Sequence, residues 1–112
     1  MKYSIISDNV KIGKDVKIYS FVNLYGCEIN DNCFIGPFVE IQKNTKIGSF
    51  TKVQSHTFIC ELVSIGKNCF IGHSVVFIND KFSKGKPAGG NKNLWKKTLI
   101  GTNHIYIIYF LY

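Results

Sequence analysis

The sequence predicts an all-β chain wound as a parallel β-helix, and three observations carry that prediction. Branched apolar residues return every six positions from Ile6 through Ile12, Ile18 and Leu24 to Ile71 and the aromatic Phe77, with a single step of five between Leu24 and Ile29. Two places before each of them, from Val10 to Val75, stands a Val, Thr or Cys. Gly follows the apolar residue at 13, 36, 48, 66 and 72.

Period six fits neither the 3.6-residue helix nor the plain alternation of an ordinary strand. Within each hexapeptide the small residue and the branched one sit two apart, so both face the same side of a short strand. The Gly, Asn, Asp or Lys beyond them permits a sharp bend. Strand and bend in alternation build a coil. Three hexapeptides make a turn of 18 residues with a triangular cross-section, and residues 6–78 supply about four coils. The pentapeptide NCFIG occurs at 32–36 and again at 68–72, 36 residues or two coils later, on the same face.

The organisation is a single domain. Coils occupy residues 1–78, a basic external loop 79–98, and a resumed rung with an apolar tail 99–112. The loop carries Gly, Pro and Lys but no hexad; "LIGTN" then resumes the pattern, and "HIYIIYFLY" drops it. With 112 residues, 46% of them apolar, the chain can bury a core. Ser7, Asp8 and Asn9 interrupt the first apolar run too early for a signal peptide. The apolar tail 105–112 is eight residues long, against the roughly 20 a membrane helix needs. No membrane partner is therefore expected.

The net charge of +7 comes from 14 Lys and no Arg. Bidentate recognition of bases and phosphates favours Arg, which argues against nucleic acid as the partner. Six of the Lys crowd into residues 80–99 against Asp80 alone, a local balance of +5. A local basic loop suits a small anionic ligand; an ordinary solvated loop is the alternative reading. Cys27, Cys33 and Cys69 fill the small inward position, and Cys60, beside Ile59, is expected to face outward. Cys33 and Cys69 lie two coils apart, roughly 9.6 Å at about 4.8 Å per coil, beyond the ~7 Å limit for a disulfide. Without a CxxC pair neither zinc nor thiol redox chemistry is expected, and unpaired Cys suit a reducing, cytoplasmic location.

Residues 18 apart share a column. Glu61 and Asn79 form such a pair near a corner, His73 stands over Ser55, and His56 lies under Ser74. Polar groups thus collect at the corners just before the loop, ending on Asp80. His56, Glu61 and Asn79 are the catalytic candidates; His73, Asp80, Lys81 and the outward strand residue Glu40 are candidates for substrate binding. Corner residues of such a coil are commonly only solvated, and Asn-Asp is an ordinary turn former. His56, His73 and His104 lack the convergence of a three-histidine zinc site, which argues against a γ-carbonic-anhydrase-like metalloenzyme.

The joined motifs "GPFVEIQ", "SHTFICE", "FIGH" and "FIND" resemble those of the hexapeptide-repeat sugar N-acetyltransferases of bacteria, over roughly residues 5–103. The nearest look-alikes acetylate nucleotide-linked 3-amino sugars, such as UDP-2-acetamido-3-amino-glucuronate, for surface polysaccharide. The resemblance implies a left-handed coil and a homotrimer whose active site lies between neighbouring subunits. It also implies acetyl-CoA as co-substrate, a nucleotide sugar as acceptor, and no metal. It places Asn79 next to the reacting amine and maps a proton-accepting or orienting role onto His56 and Glu61. Loop lysines, Lys81 and, for CoA, Lys84 and Lys86, would meet pyrophosphate. Members of that group continue for several coils beyond the loop, and those coils carry much of the CoA site. The Tyr-, Ile- and Phe-rich tail is instead what a truncated or frameshifted coding sequence produces. O-acetylation of a sugar hydroxyl and a non-catalytic β-helical remnant remain as alternative readings.

Overall fold

Fourteen short strands wind into a left-handed parallel β-helix of about four turns in the computed structural model, which describes residues 3–80 and 95–107. Side 1 of the prism holds β1 (Ile5–Ile6), β4 (Asn23–Leu24), β7 (Glu40–Ile41) and β10 (Phe58–Ile59). Side 2 holds β2 (Lys11–Ile12), β5 (Glu28–Ile29), β8 (Lys46–Ile47), β11 (Val63–Ile65) and β13 (Thr98–Ile100). Side 3 holds β3 (Lys17–Ile18), β6 (Phe34–Ile35), β9 (Lys52–Val53), β12 (Phe70–Ile71) and β14 (Ile105–Tyr106). Every strand pairs in parallel with its neighbour one coil away, in register: Leu24 faces Ile41, Ile29 faces Ile47, Ile35 faces Val53.

The hexad maps directly onto burial. Leu24, Ile35, Ile41, Ile47, Val53, Ile59 and Ile71 are wholly inaccessible. The small residue two places earlier is buried from Val22 through Val75. Its restriction to Val, Thr and Cys has a hydrogen-bonding reason in part. Thr45, Thr51 and Thr57 donate their hydroxyls to the carbonyls of Cys60, Gly66 and Gly72, at 3.0, 2.8 and 2.9 Å. The thiols of Cys33 and Cys69 do the same toward Gly48 and Gly101, at 3.0 and 3.1 Å. Each such donor ties a corner of the next coil to the core.

The corners turn through the left-handed backbone region. Among the described residues, twelve non-glycine residues have positive φ, between 54° and 70°, and most stand three places after an inward apolar residue, as Asn32 follows Ile29 and His56 follows Val53. Among the same residues, repeated left-handed corners connect the strands without helices. Gly26 (φ 61°) serves the one corner shortened by a residue, which accounts for the step of five. A Cβ there would lie 2.5 Å from that of Lys43, so a side chain would push the next coil away.

Residues 81–94 of the expected loop lie outside the described residues, and with them the candidate residues Lys81, Lys84 and Lys86. The ends of that segment are joined. Asp80 and Trp95 form an antiparallel bridge, and the Lys96 amide donates to the Asn79 carbonyl at 2.8 Å. Val63 then pairs with Thr98 at an offset of 35, against 18 for an uninterrupted coil, so the excursion adds 17 residues and the winding resumes in register. It also continues past Gly101, where the hexad is no longer legible. Ile105 and Tyr106 pair with Phe70 and Ile71, and the Tyr106 ring meets Phe77 edge-on at 6.3 Å between centroids.

One expectation is corrected. Cys60 does not face outward; it is 3% exposed and belongs to the core cluster. It directly follows Ile59, but the chain already bends there, and the bend turns its side chain inward. All four cysteines are free. Burial pushes the Cys27 thiol up to about 11 and raises those of Cys33 and Cys60 as well. The thiolate is the reactive form, so all three stay protonated and inert at pH 8. The native protein at pH 8 is expected to leave these three thiols unlabelled by an aromatic disulfide reagent, with full labelling only in denaturant. Rapid labelling of the folded protein would contradict this burial.

Candidate functional site

The candidate residues gather at two corners, on either edge of side 1. The first joins side 3 to side 1. Here the rings of Tyr3, Phe21, Phe38 and His56 stack one coil upon another, with centroids 5.6, 5.0 and 4.9 Å apart. All four residues have left-handed backbone, which throws successive side chains outward in the same direction. Each aromatic contact contributes about 0.5–1.5 kcal/mol beyond area burial, offsetting the strain of positive φ in bulky residues. Beside this ladder the Ser55 hydroxyl and His73 Nδ1 share a hydrogen bond of 2.9 Å. His56 and His73 are both exposed.

The second corner joins side 1 to side 2 and is far more enclosed. Glu61 is 5% exposed and Asn79 9%. The Asn79 Nδ2 donates to the Glu61 carbonyl at 3.1 Å, as their shared column requires. The Glu61 carboxylate meets the Lys43 ammonium at 3.7 Å. Its own amide donates to Gln42 Oε1 at 3.1 Å. Gln42 Nε2 in turn donates to Glu40 Oε2 at 3.4 Å, and the Tyr25 hydroxyl donates to the same oxygen at 3.2 Å. Burial first, and then the charge of Glu40, push the Tyr25 phenol above its ordinary range, which keeps it a donor. Side chains from four successive coils are thereby tied together: Tyr25, Gln42, Glu61 and Asn79.

The Asn79 carboxamide can be oriented without ambiguity. A carbonyl only accepts, so the atom facing the Glu61 oxygen is Nδ2. Oδ1 is then the accepting end of this carboxamide, one residue before Asp80. A group with N–H or O–H to donate is what such an oxygen binds.

Glu40 stands on the outer face of β7, as its place in the strand requires, but its carboxylate is partly covered and doubly hydrogen-bonded. The structure brings Glu61 and Asn79 into contact; it places His56 and His73 at the other edge of side 1, with β10 between. Grooves of about 280 to 390 Å³ run along sides 2 and 3, beside Lys11, Lys46, Lys17 and Lys52, and none of the candidate residues lines them. Among the described residues no three His, Cys, Asp or Glu side chains converge as a metal would need. Tyr25 and Gln42 were not candidates from sequence. Gln42 lies inside the "GPFVEIQ" motif, which was the available signal for it; Tyr25 sits at the irregular step of the repeat, where column counting gives no guide.

Residues 26–61 match the sequence pattern of the family described as bacterial transferase hexapeptide (six repeats). No curated protein matches the chain. Among solved structures, a mutant perosamine N-acetyltransferase from Caulobacter crescentus, in complex with CoA and GDP-perosamine, superposes with a TM-score of 0.64 at 12% identity. The Arabidopsis UDP-N-acetylglucosamine acyltransferase superposes at 0.57 with 17% identity. Each match takes in 93% of this chain but only 50% and 45% of the other, so the chain spans about half the length of these structures. At such identities the likeness is one of fold.

Proposed function

We propose that this chain forms the acceptor-binding part of an acetyl-CoA-dependent N-acetyltransferase, acting in the cytoplasm on the amino group of a nucleotide-linked sugar destined for surface polysaccharide. The observation that carries the reading is the buried Asn79, whose Nδ2 is committed to the Glu61 carbonyl, which makes Oδ1 the atom able to accept from a ligand. A neutral amine donating N–H to that oxygen keeps its lone pair free to attack. Further support comes from the hexapeptide pattern over residues 26–61 and from the shared fold with an enzyme seen with CoA and a nucleotide-linked amino sugar.

In the transfer, the amine nitrogen forms a bond to the thioester carbonyl carbon, the carbon–sulfur bond breaks, and the nitrogen loses a proton. That proton ends on the departing CoA sulfur, directly or through a side chain. A positioned base typically contributes ~10²–10⁴-fold, and holding two substrates together can contribute more. His56 or His73 becomes such a base only if a neighbouring copy brings its side 3–side 1 corner beside the Asn79 corner, because side 1 separates the two within one chain. A homotrimer with its sites between subunits meets that requirement. Lys81, Lys84 and Lys86 supply positive charge for the pyrophosphates.

Purified protein mixed with acetyl-CoA and a panel of amino-nucleotide sugars is expected to release free thiol and yield a product stable to mild base, as an amide is. A base-labile product would identify a hydroxyl acceptor and so an O-acetyltransferase. Absence of thiol release with every acceptor, together with absence of CoA binding, would refute acetyl transfer by this chain.

A further inference from the structure

Gln42 occupies an unusual place in the solenoid. At most other corners a backbone amide reaches the carbonyl one coil below, as Asn32 does to Lys14, Phe50 to Asp31 and Asn68 to Ser49. At the Glu61 corner side chains bridge the coils instead: Gln42 from below to the Glu61 amide, and Asn79 from above to the Glu61 carbonyl. The Gln42 orientation is forced, since an amide N–H can only donate and Oε1 must face it. Nε2 is thereby turned to Glu40 Oε2, the same oxygen that accepts from the Tyr25 hydroxyl.

We infer that Gln42 is a positioning residue: it fixes the Glu61 backbone and, through it, the aim of the Asn79 carboxamide. The inference rests on the acceptor-binding role proposed for Asn79, but its structural half stands apart from activity. Residue Glu61 joins the two side chains: its N–H is bonded to Gln42 and its C=O, across the Cα, to Asn79. Glu40 completes the bracket by accepting from Nε2, and Tyr25 by donating to the same carboxylate oxygen. A shift of the backbone about the Glu61 Cα would rotate Oδ1 of Asn79 away from an incoming donor while leaving the hydrophobic prism intact.

Two variants test this. Gln42→Leu removes both hydrogen bonds. Gln42→Glu keeps the acceptor for the Glu61 amide and replaces the donor toward Glu40 by a second carboxyl group. In ¹⁵N-labelled protein the Glu61 amide and the Asn79 side-chain NH₂ protons are expected to exchange slowly, and in Gln42→Leu on the order of tenfold faster or more. With acetyl-CoA and an amino-nucleotide sugar, kcat of Gln42→Leu should fall about tenfold while KM for acetyl-CoA stays within about twofold. Gln42→Glu should retain near-native kcat at acidic pH, where the pair shares a proton, and lose it as pH rises through the carboxylate range, a limb absent from the native profile. A residue with a merely structural role would lower the melting temperature without adding that limb. Unchanged exchange of the Asn79 NH₂ protons in both variants overturns the inference, whether or not the protein transfers acetyl groups. If the native protein transfers none while the exchange shifts appear, the positioning stands and the proposed reaction fails.

Discussion

Asn79→Ala is expected to lower kcat for acetyl transfer by on the order of 10²-fold. The magnitude follows from what the side chain does. It is nearly buried and its Nδ2 is committed to the Glu61 carbonyl, so that in the proposed site Oδ1 is the atom that would hold the attacking amine. Removing it releases both the acceptor for the amine and the tie that keeps the corner in place. The loss should appear in kcat, with KM for acetyl-CoA nearly unchanged, because the contact matters most when the nucleophile is aligned. Asn103→Ala is the matched control. Asn103 is also a corner asparagine joined to a residue in the coil below, accepting from Asn68 Nδ2 at 2.8 Å, but it is exposed and sits on the corner between sides 2 and 3. Its substitution should leave kcat within about twofold. Equal kinetics for the two variants would remove Asn79 from the site.

The fold was legible because a solenoid repeats one local rule, and six-residue spacing exposes that rule directly. Column arithmetic correctly stacked Glu61 with Asn79 and Ser55 with His73, since both pairs obey the offset of 18. It could not place Cys60, because a corner residue's direction depends on where the bend begins. It also could not show that His56 leans on Phe38 in an aromatic ladder: Tyr3, Phe21 and Phe38 share a column, but stacking is set by backbone angle at each corner. The candidate site was legible only in part for a related reason. Its decisive contacts run between side chain and backbone across unequal offsets, such as Gln42 to Glu61, and these belong to no repeat. Nor did the hexad foresee the resumption after Gly101. Tyr106 holds an Ile column without resembling Ile, because at the last described coil a large ring can cover Phe77 rather than fit beneath another described layer.

Ile47→Ala is expected to destabilise the folded chain by about 2–5 kcal/mol, a large share of the roughly 5–15 kcal/mol that holds a typical domain. Ile47 lies in the column running from Ile12 through Ile29 to Ile65 and Ile100, with layers above and below, and has no accessible surface. Truncation there leaves a cavity that neighbouring coils cannot close, since their hydrogen-bonded ladders fix the spacing at which they stack. Ile12 stands in the same column with the same side chain, yet it is 44% exposed, because no described coil lies beneath it. Ile12→Ala removes the same atoms from a half-solvated site, leaves no closed void, and should therefore cost less than half as much. Urea denaturation of both variants checks the contrast at constant chemistry. Equal losses would mean that the first coil is as tightly covered as the third. A chain in which each coil contacts only its neighbours also fails locally before it fails globally. The Ile47 variant should accordingly loosen the Glu61–Asn79 corner one layer above it, lowering acetyl transfer before the far-ultraviolet signal of the strands begins to fall.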